Sequence, residues 1–123
     1  MKGKIYLSGL NNTKNLNKNI TKLFIALKPI DNMNKYNFIH APGLAPSEDL
    51  FKKKKFGNMS WQSYVKQYRT EMLNMTKYLD QIEVLLQEGN DVALICYCPY
   101  SINCHRGILS HYFEELGYEI IDT

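Results

Sequence analysis

Apolar positions along the chain follow two periods, and the change from one to the other marks its elements. Val92, Ala93, Leu94 and Ile95 form a short apolar run with no polar alternation, the pattern of a parallel strand covered on both faces. After Pro99 the strand pattern cannot continue, and Ile108, Leu109, Tyr112, Phe113 and Leu116 return at helical spacing from Cys104 onward. Nearer the start, Lys4-Ile5-Tyr6-Leu7 reads as a strand ending at Ser8-Gly9. Asn12-Thr13 then offers a cap for a helix carrying Leu16, Ile20, Leu23, Phe24 and Leu27, which Pro29 would end. Tyr36-Asn37-Phe38-Ile39 reads as a second strand, stopped by His40-Ala41-Pro42-Gly43. From Leu44 to Asn58 the pattern predicts little regular structure beyond a helical turn after Ser47, a good N-cap followed by Glu48 and Asp49.

Ser60 opens the strongest helical signal. Trp61, Tyr64, Tyr68, Met72, Met75, Leu79, Ile82 and Leu86 recur in steps of three and four. One straight rod of that length would reach about 40 Å at 1.5 Å per residue, so a break is expected near Asn74 to Thr76. Gly89 closes this region, Gly117 caps the last helix, and Tyr118 to Ile121 supplies a final strand.

Four short strands separated by helical stretches predict a single α/β domain over residues 1–123, Rossmann-like or flavodoxin-like. The expected sheet is parallel, about four strands in the order 2-1-3-4, with helices on both faces. In that order a crevice opens at the carboxyl ends of strands one and three. Three loops would meet there, bringing in Ser8, Gly9, His40, Ser47, Cys98, Asn103, Cys104, His105 and Arg106.

Composition narrows the setting. The chain of 123 residues is long enough to bury a core without staples. Its three cysteines are an odd number, and Met1-Lys2-Gly3-Lys4 leads into a strand rather than a signal-peptide core, so a reducing cytoplasmic setting is expected. No apolar run approaches the roughly 18 residues of a membrane span, and no membrane partner is expected. A formal charge of +3, concentrated at Lys52 to Lys55, does not announce a nucleic-acid binder.

Leu44-Ala45-Pro46-Ser47, followed by Trp61-x-x-Tyr64-x-x-x-Tyr68-x-x-Glu71-Met72 and then by Cys104-His105-Arg106 after an apolar strand, resembles the domain of unknown function 488 family, including its YeaO-like branch. Members carry an L-A-P-S-type turn before W-x-x-F-x-x-x-Y-x-x-E-L, and many end the strand-loop-helix unit with C-H-R. The likeness spans about residues 40–117. Tyr64 stands where the family favours Phe, Gln67 where it often has Arg, and the Asp-Val-Arg element common after its second strand is missing. The family has no settled reaction, so the resemblance speaks to fold and site.

The chemistry of the Cys98 to Arg106 stretch leads to a functional expectation. A helix N-terminus following a central strand attracts anions, Arg106 would give a two-pronged charged contact, and His105 a switchable proton donor. The leading reading is a crevice that binds a small phosphate-bearing ligand, a nucleotide or nucleotide-derived signal, and sequesters it. Backbone N–H groups of Asn103 to Arg106 would cradle the phosphate, with Ser8, Gly9, His40 and Ser47 in the wall. The plainer alternative has Arg106 paired with Glu71 or a carboxyl-terminal acid, locking helix to sheet. An enzyme reading makes Cys104 or Cys98 a nucleophile with His105 beside it, acting on a phosphorylated or nucleotide substrate. The phosphatase-type loop does not fit, since seven residues separate Cys98 from Arg106 and only one separates Cys104 from it. Cys96, Cys98, Cys104 and His105 lack the usual spacing of a zinc set, so no metal or cofactor is expected, and Cys96 reads as core packing. Two contrasts remain. The Trp61, Tyr64, Tyr68 stripe is either core or a base-stacking platform, with core favoured. The Lys52 to Lys55 run is either a solvated loop or a nucleic-acid or protein contact, and solvation is favoured. A homo-oligomer could use an apolar face left on the Trp61 helix, which could equally sit on the sheet.

Overall fold

A computed structural model describes residues 2–31, 33–57, 59–97 and 104–123. The elements in chain order are β1 (Ile5–Gly9), β2 (Thr21–Phe24), α1 (Met33–Tyr36), β3 (Phe38–His40), α2 (Glu48–Phe56), α3 (Trp61–Met72), α4 (Thr76–Gln87), β4 (Val92–Cys96), α5 (His105–Glu115) and β5 (Ile120–Asp122). Short 3-10 turns cover Leu10–Asn15 and Pro42–Leu44. No helix among the described residues is long and apolar enough to cross a membrane.

The expected class holds: this is a Rossmann-like or flavodoxin-like α/β fold with one all-parallel sheet. Strand count and order differ from expectation. Among the described residues there are five strands, in the order β3-β2-β4-β1-β5. The fifth is β2, which lies in the segment expected to be the first helix. Leu23, Phe24 and Ile25 are all buried, so their run is not one stripe of a helix but a strand packed on both faces. A short continuous apolar run fits either period, and the tertiary partner decides. The asparagine-rich segment before it forms only the 3-10 turn, and Pro29 ends no helix.

Adding β2 rearranges the neighbours. It pairs with β4 on one side, Leu23 beside Leu94, and with β3 on the other, Leu23 beside Ile39. β1 takes the far side of β4, and β5 pairs with β1 instead of β4. The two faces are covered unequally. Ile5, Leu7, Leu23, Ile25, Val92, Leu94 and Cys96 face a large core closed by α2, α3, α4 and α5. Phe24, Phe38, Ala93 and Ile95 face a smaller one, covered by Leu16, Ile20, the Leu10 turn and Met33 of α1.

The long helical signal breaks where expected, between Met72 and Thr76, into α3 and α4. Ser60 caps α3 by accepting from Ser63 N at 3.2 Å. Gly89 and Gly117 follow α4 and α5 with φ of 92° and 96°, the left-handed conformation that ends a helix at little cost in glycine. The turn expected after Ser47 extends to a nine-residue helix, α2. Its reasons are local: Ser47 Oγ accepts from Leu50 N, acids stand in the first turn and lysines in the last, and Lys52–Glu48 and Lys53–Asp49 pair one turn apart. The lysine run therefore lies on a helix, not in a loop.

Candidate functional site

The carboxyl end of β4 and the start of α5 carry the chemistry. Cys96 is the last residue of β4, and Cys104 is the N-cap of α5 in extended backbone conformation. Both are thiols, buried to 1% and 2% exposure, with their sulfurs 2.9 Å apart. Arg106 Nη1 donates to Cys96 Sγ at 3.0 Å. Arg106 is 1% exposed, so its guanidinium is turned into the core and not toward solvent. A buried cation needs a negative or strongly accepting neighbour, and a sulfur that can ionise meets that need.

His105 is held by the residue that directly follows β2, the strand that sequence periodicity hides. Its Nε2 lies 2.8 Å from Ile25 O, and because a carbonyl only accepts, Nε2 carries the proton. In the neutral ring Nδ1 is then an acceptor, and it lies 3.9 Å from Cys104 Sγ. The arrangement is a thiol, a base and a group that orients the base. His40, at the end of β3, uses the next residue: its Nε2 donates to Ala26 O at 2.8 Å while its ring tilts against Phe24. Two histidines thus grip consecutive carbonyls just past the end of β2.

The other expected site residues divide. Ser8 and Gly9 pair in register with Ile95 and Cys96, which puts them at the same sheet edge. Ser8 is fully buried and its hydroxyl donates to Gly9 O at 2.8 Å. Ser47 is drawn elsewhere. Its N–H and hydroxyl both donate to the Glu71 carboxylate, at 2.8 and 2.5 Å. Tyr68 donates to Leu44 O at 2.6 Å. The Leu44 to Ser47 turn and the Tyr68 to Glu71 segment are therefore the two halves of one joint to α3, and Glu71 serves that joint. Cys98 and Asn103 lie outside the described residues.

Cys96 and Tyr68 both read from the sequence as core packing, and both are buried at this site. Trp61, Tyr64 and Tyr68 stack in series along α3, with Tyr64 and Tyr68 buried, and the Tyr68 ring reaches His105 at 5.7 Å between centroids. Burial pushes the Tyr68 hydroxyl well above the usual tyrosine range, and Tyr64, Cys104, Glu71 and Cys96 add to the push. A neutral phenol therefore stands behind the imidazole. The signal for Cys96 was its position as the last residue of the most buried strand, which the register sets beside Gly9.

Cys96, Cys104 and His105 present ligand atoms within 4.8 Å of one another. A metal ion on Cys96 would face the Arg106 cation, whose Nη1 lies 3.0 Å from that sulfur. The donor set fits a thiol pair better than a metal.

No curated protein and no solved structure matches the chain. A family model described as the active DUF488-N3 subclade matches residues 5–117, which takes in every strand except the last, all five helices, and the two thiols with His105 and Arg106. The chain belongs to the domain of unknown function 488 family, in its active DUF488-N3 subclade.

Proposed function

We propose that the protein is a cysteine-dependent enzyme in which Cys104 is the nucleophile, His105 its base, and the substrate a small phosphorylated or nucleotide-like molecule at the carboxyl edge of the sheet. The observation that carries this reading is the fixed tautomer of His105: the hydrogen bond to Ile25 O turns Nδ1 toward Cys104 Sγ. The thiol proton passes to Nδ1, the sulfur attacks an electrophilic centre of the substrate, and the proton held by His105 goes to the leaving group. Water then releases the adduct. The N-terminus of α5 favours the thiolate and any anionic substituent beside it. A subclade described as active accords with a catalytic site.

Ligand capture without chemistry is the second reading. It is favoured by the same helix N-terminus, whose N-cap Cys104 meets Cys96 at the end of β4, a place where backbone N–H groups meet anions. One experiment addresses both. Iodoacetamide is added at neutral pH, with and without mono-, di- and cyclic nucleotides, and each cysteine is read by peptide mass. Alkylation of Cys104 at neutral pH, lost in favour of alkaline reaction in His105→Gln, is expected. Protection by a nucleotide would add the ligand class. A Cys104 that reacts only in the alkaline range of an ordinary thiol overturns the nucleophile.

A further inference from the structure

The nucleophile reading uses Cys104 and leaves Cys96 without a task, although the two sulfurs are in contact. We infer that Cys96 and Cys104 form a dithiol–disulfide redox couple, so that the same centre is oxidised reversibly by peroxide. The inference rests on Cys104 being a reactive sulfur. It adds a second one, poised to resolve it.

Three observations carry it. The sulfurs lie 2.9 Å apart, and a shift of roughly 1 Å brings them to the length of a disulfide bond. They sit on two elements that meet at one sheet edge, the end of β4 and the N-cap of α5, so that the approach is made by tertiary structure and not by a flexible tail. Each sulfur has its own polar neighbour: the Arg106 guanidinium at 3.0 Å for Cys96, the His105 ring at 3.9 Å for Cys104. Cations and imidazoles beside a thiol favour the thiolate, which is the form that attacks.

The chemistry closes with hydrogen peroxide as oxidant. The Cys104 thiolate attacks one peroxide oxygen, the O–O bond breaks, and the departing hydroxide takes a proton, leaving a sulfenic acid. The Cys96 thiolate attacks that sulfur, the S–O bond breaks, and a second hydroxide leaves as water after protonation. Overall two thiols and one peroxide give one disulfide and two waters, with two electrons passing from sulfur to oxygen. Oxidation removes the sulfur charge that Arg106 would hold and caps the nucleophile. Because the cation beside Cys96 favours its thiolate, a small dithiol such as dithiothreitol should restore the thiols.

The test uses the whole chain. Reduced protein is treated with stoichiometric hydrogen peroxide, digested without reductant, and the linked peptides are read by mass, before and after dithiothreitol. A Cys96–Cys104 linkage that dithiothreitol reverses, with loss of Cys104 alkylation while it persists, is the expected result. In Cys96→Ser, peroxide should instead leave a sulfenic acid on Cys104 that dimedone traps. A Cys98–Cys104 linkage in its place, or direct over-oxidation of Cys104 with no linkage, overturns the inference. Neutral-pH alkylation of Cys104 in the reduced protein is read in parallel. If it occurs and no linkage forms, the redox couple falls and the nucleophile stands. If neither occurs, both fall.

Discussion

Tyr68 is the residue on which two roles converge. Its hydroxyl donates to Leu44 O, tying the turn before α2 to α3, and its ring lies against His105. Because burial raises its ionisation well above the ordinary value, the folded chain keeps this proton at pH values where unfolded tyrosines, titrating near 10, have lost theirs. The folded state then binds more protons, so stability is complete below the ordinary tyrosine range and falls as pH climbs through it. Tyr112 and Tyr118 are raised too, burial being the first cause for each, and they add slope of the same sign. Tyr68→Phe should flatten the alkaline limb of stability between about pH 9 and 11, measured by urea unfolding across that range. At neutral pH the same variant should cost about 1–3 kcal/mol, because Leu44 O is left without its donor.

At the scale of elements, the joint between α2 and α3 follows from a few polar atoms. Ser47 caps α2 and, from the same residue, gives two hydrogen bonds to Glu71 of α3. Removing the hydroxyl in Ser47→Ala takes away the cap and one of the bonds to the carboxylate. A loss of about 1–2 kcal/mol is expected, since caps are worth about 1 kcal/mol and the pair is partly exposed to water. Urea denaturation measures it, and an unchanged midpoint would show that the joint does not hold α2. The lysines of α2 have a plainer place. Lys52 and Lys53 pair with Glu48 and Asp49 on an exposed face, and the Lys55 ammonium lies 5.5 Å from the Phe51 and Phe56 rings. Each such pair contributes a few tenths of a kcal/mol and keeps the charge in water.

At the scale of the molecule, β2 decides the architecture. It fills the sheet between β3 and β4, leads directly into the Ile25 and Ala26 carbonyls that orient His105 and His40, and carries Phe24 into the smaller core. Phe24 is fully buried, stacked on Phe38 and edge-on to Tyr97. Among the described residues fewer side chains cover that face than the other, so less can collapse into the space it would leave. Phe24→Ala should therefore cost about 3–5 kcal/mol, a large part of the ~5–15 kcal/mol that holds a domain folded. The check is a guanidinium or urea midpoint that falls with an unchanged slope. A change under about 1 kcal/mol would mean that the second face contributes little to the fold.

Local chemistry in the sequence determined much of this. The uninterrupted Val92 to Ile95 run, the Ser47 and Ser60 caps, the three-and-four spacing from Trp61 to Leu86 and the glycines after α4 and α5 are short-range signals, and each one acts within a turn or two of chain. They placed four of the five strands, the break between α3 and α4, and the Cys104-His105-Arg106 entry to α5. Residues 21–24 escaped because Leu23 and Phe24 suit either a helix stripe or a two-faced strand, and only pairing with β3 and β4 chooses between them. The site was legible as a stretch but not as an arrangement. That Cys96 meets Cys104, that Arg106 turns inward to a sulfur, and that the residue after β2 fixes the tautomer of His105 depend on atoms brought together from distant parts of the chain. Such approaches are set by how the sheet is ordered and packed, and no periodicity within one segment encodes them.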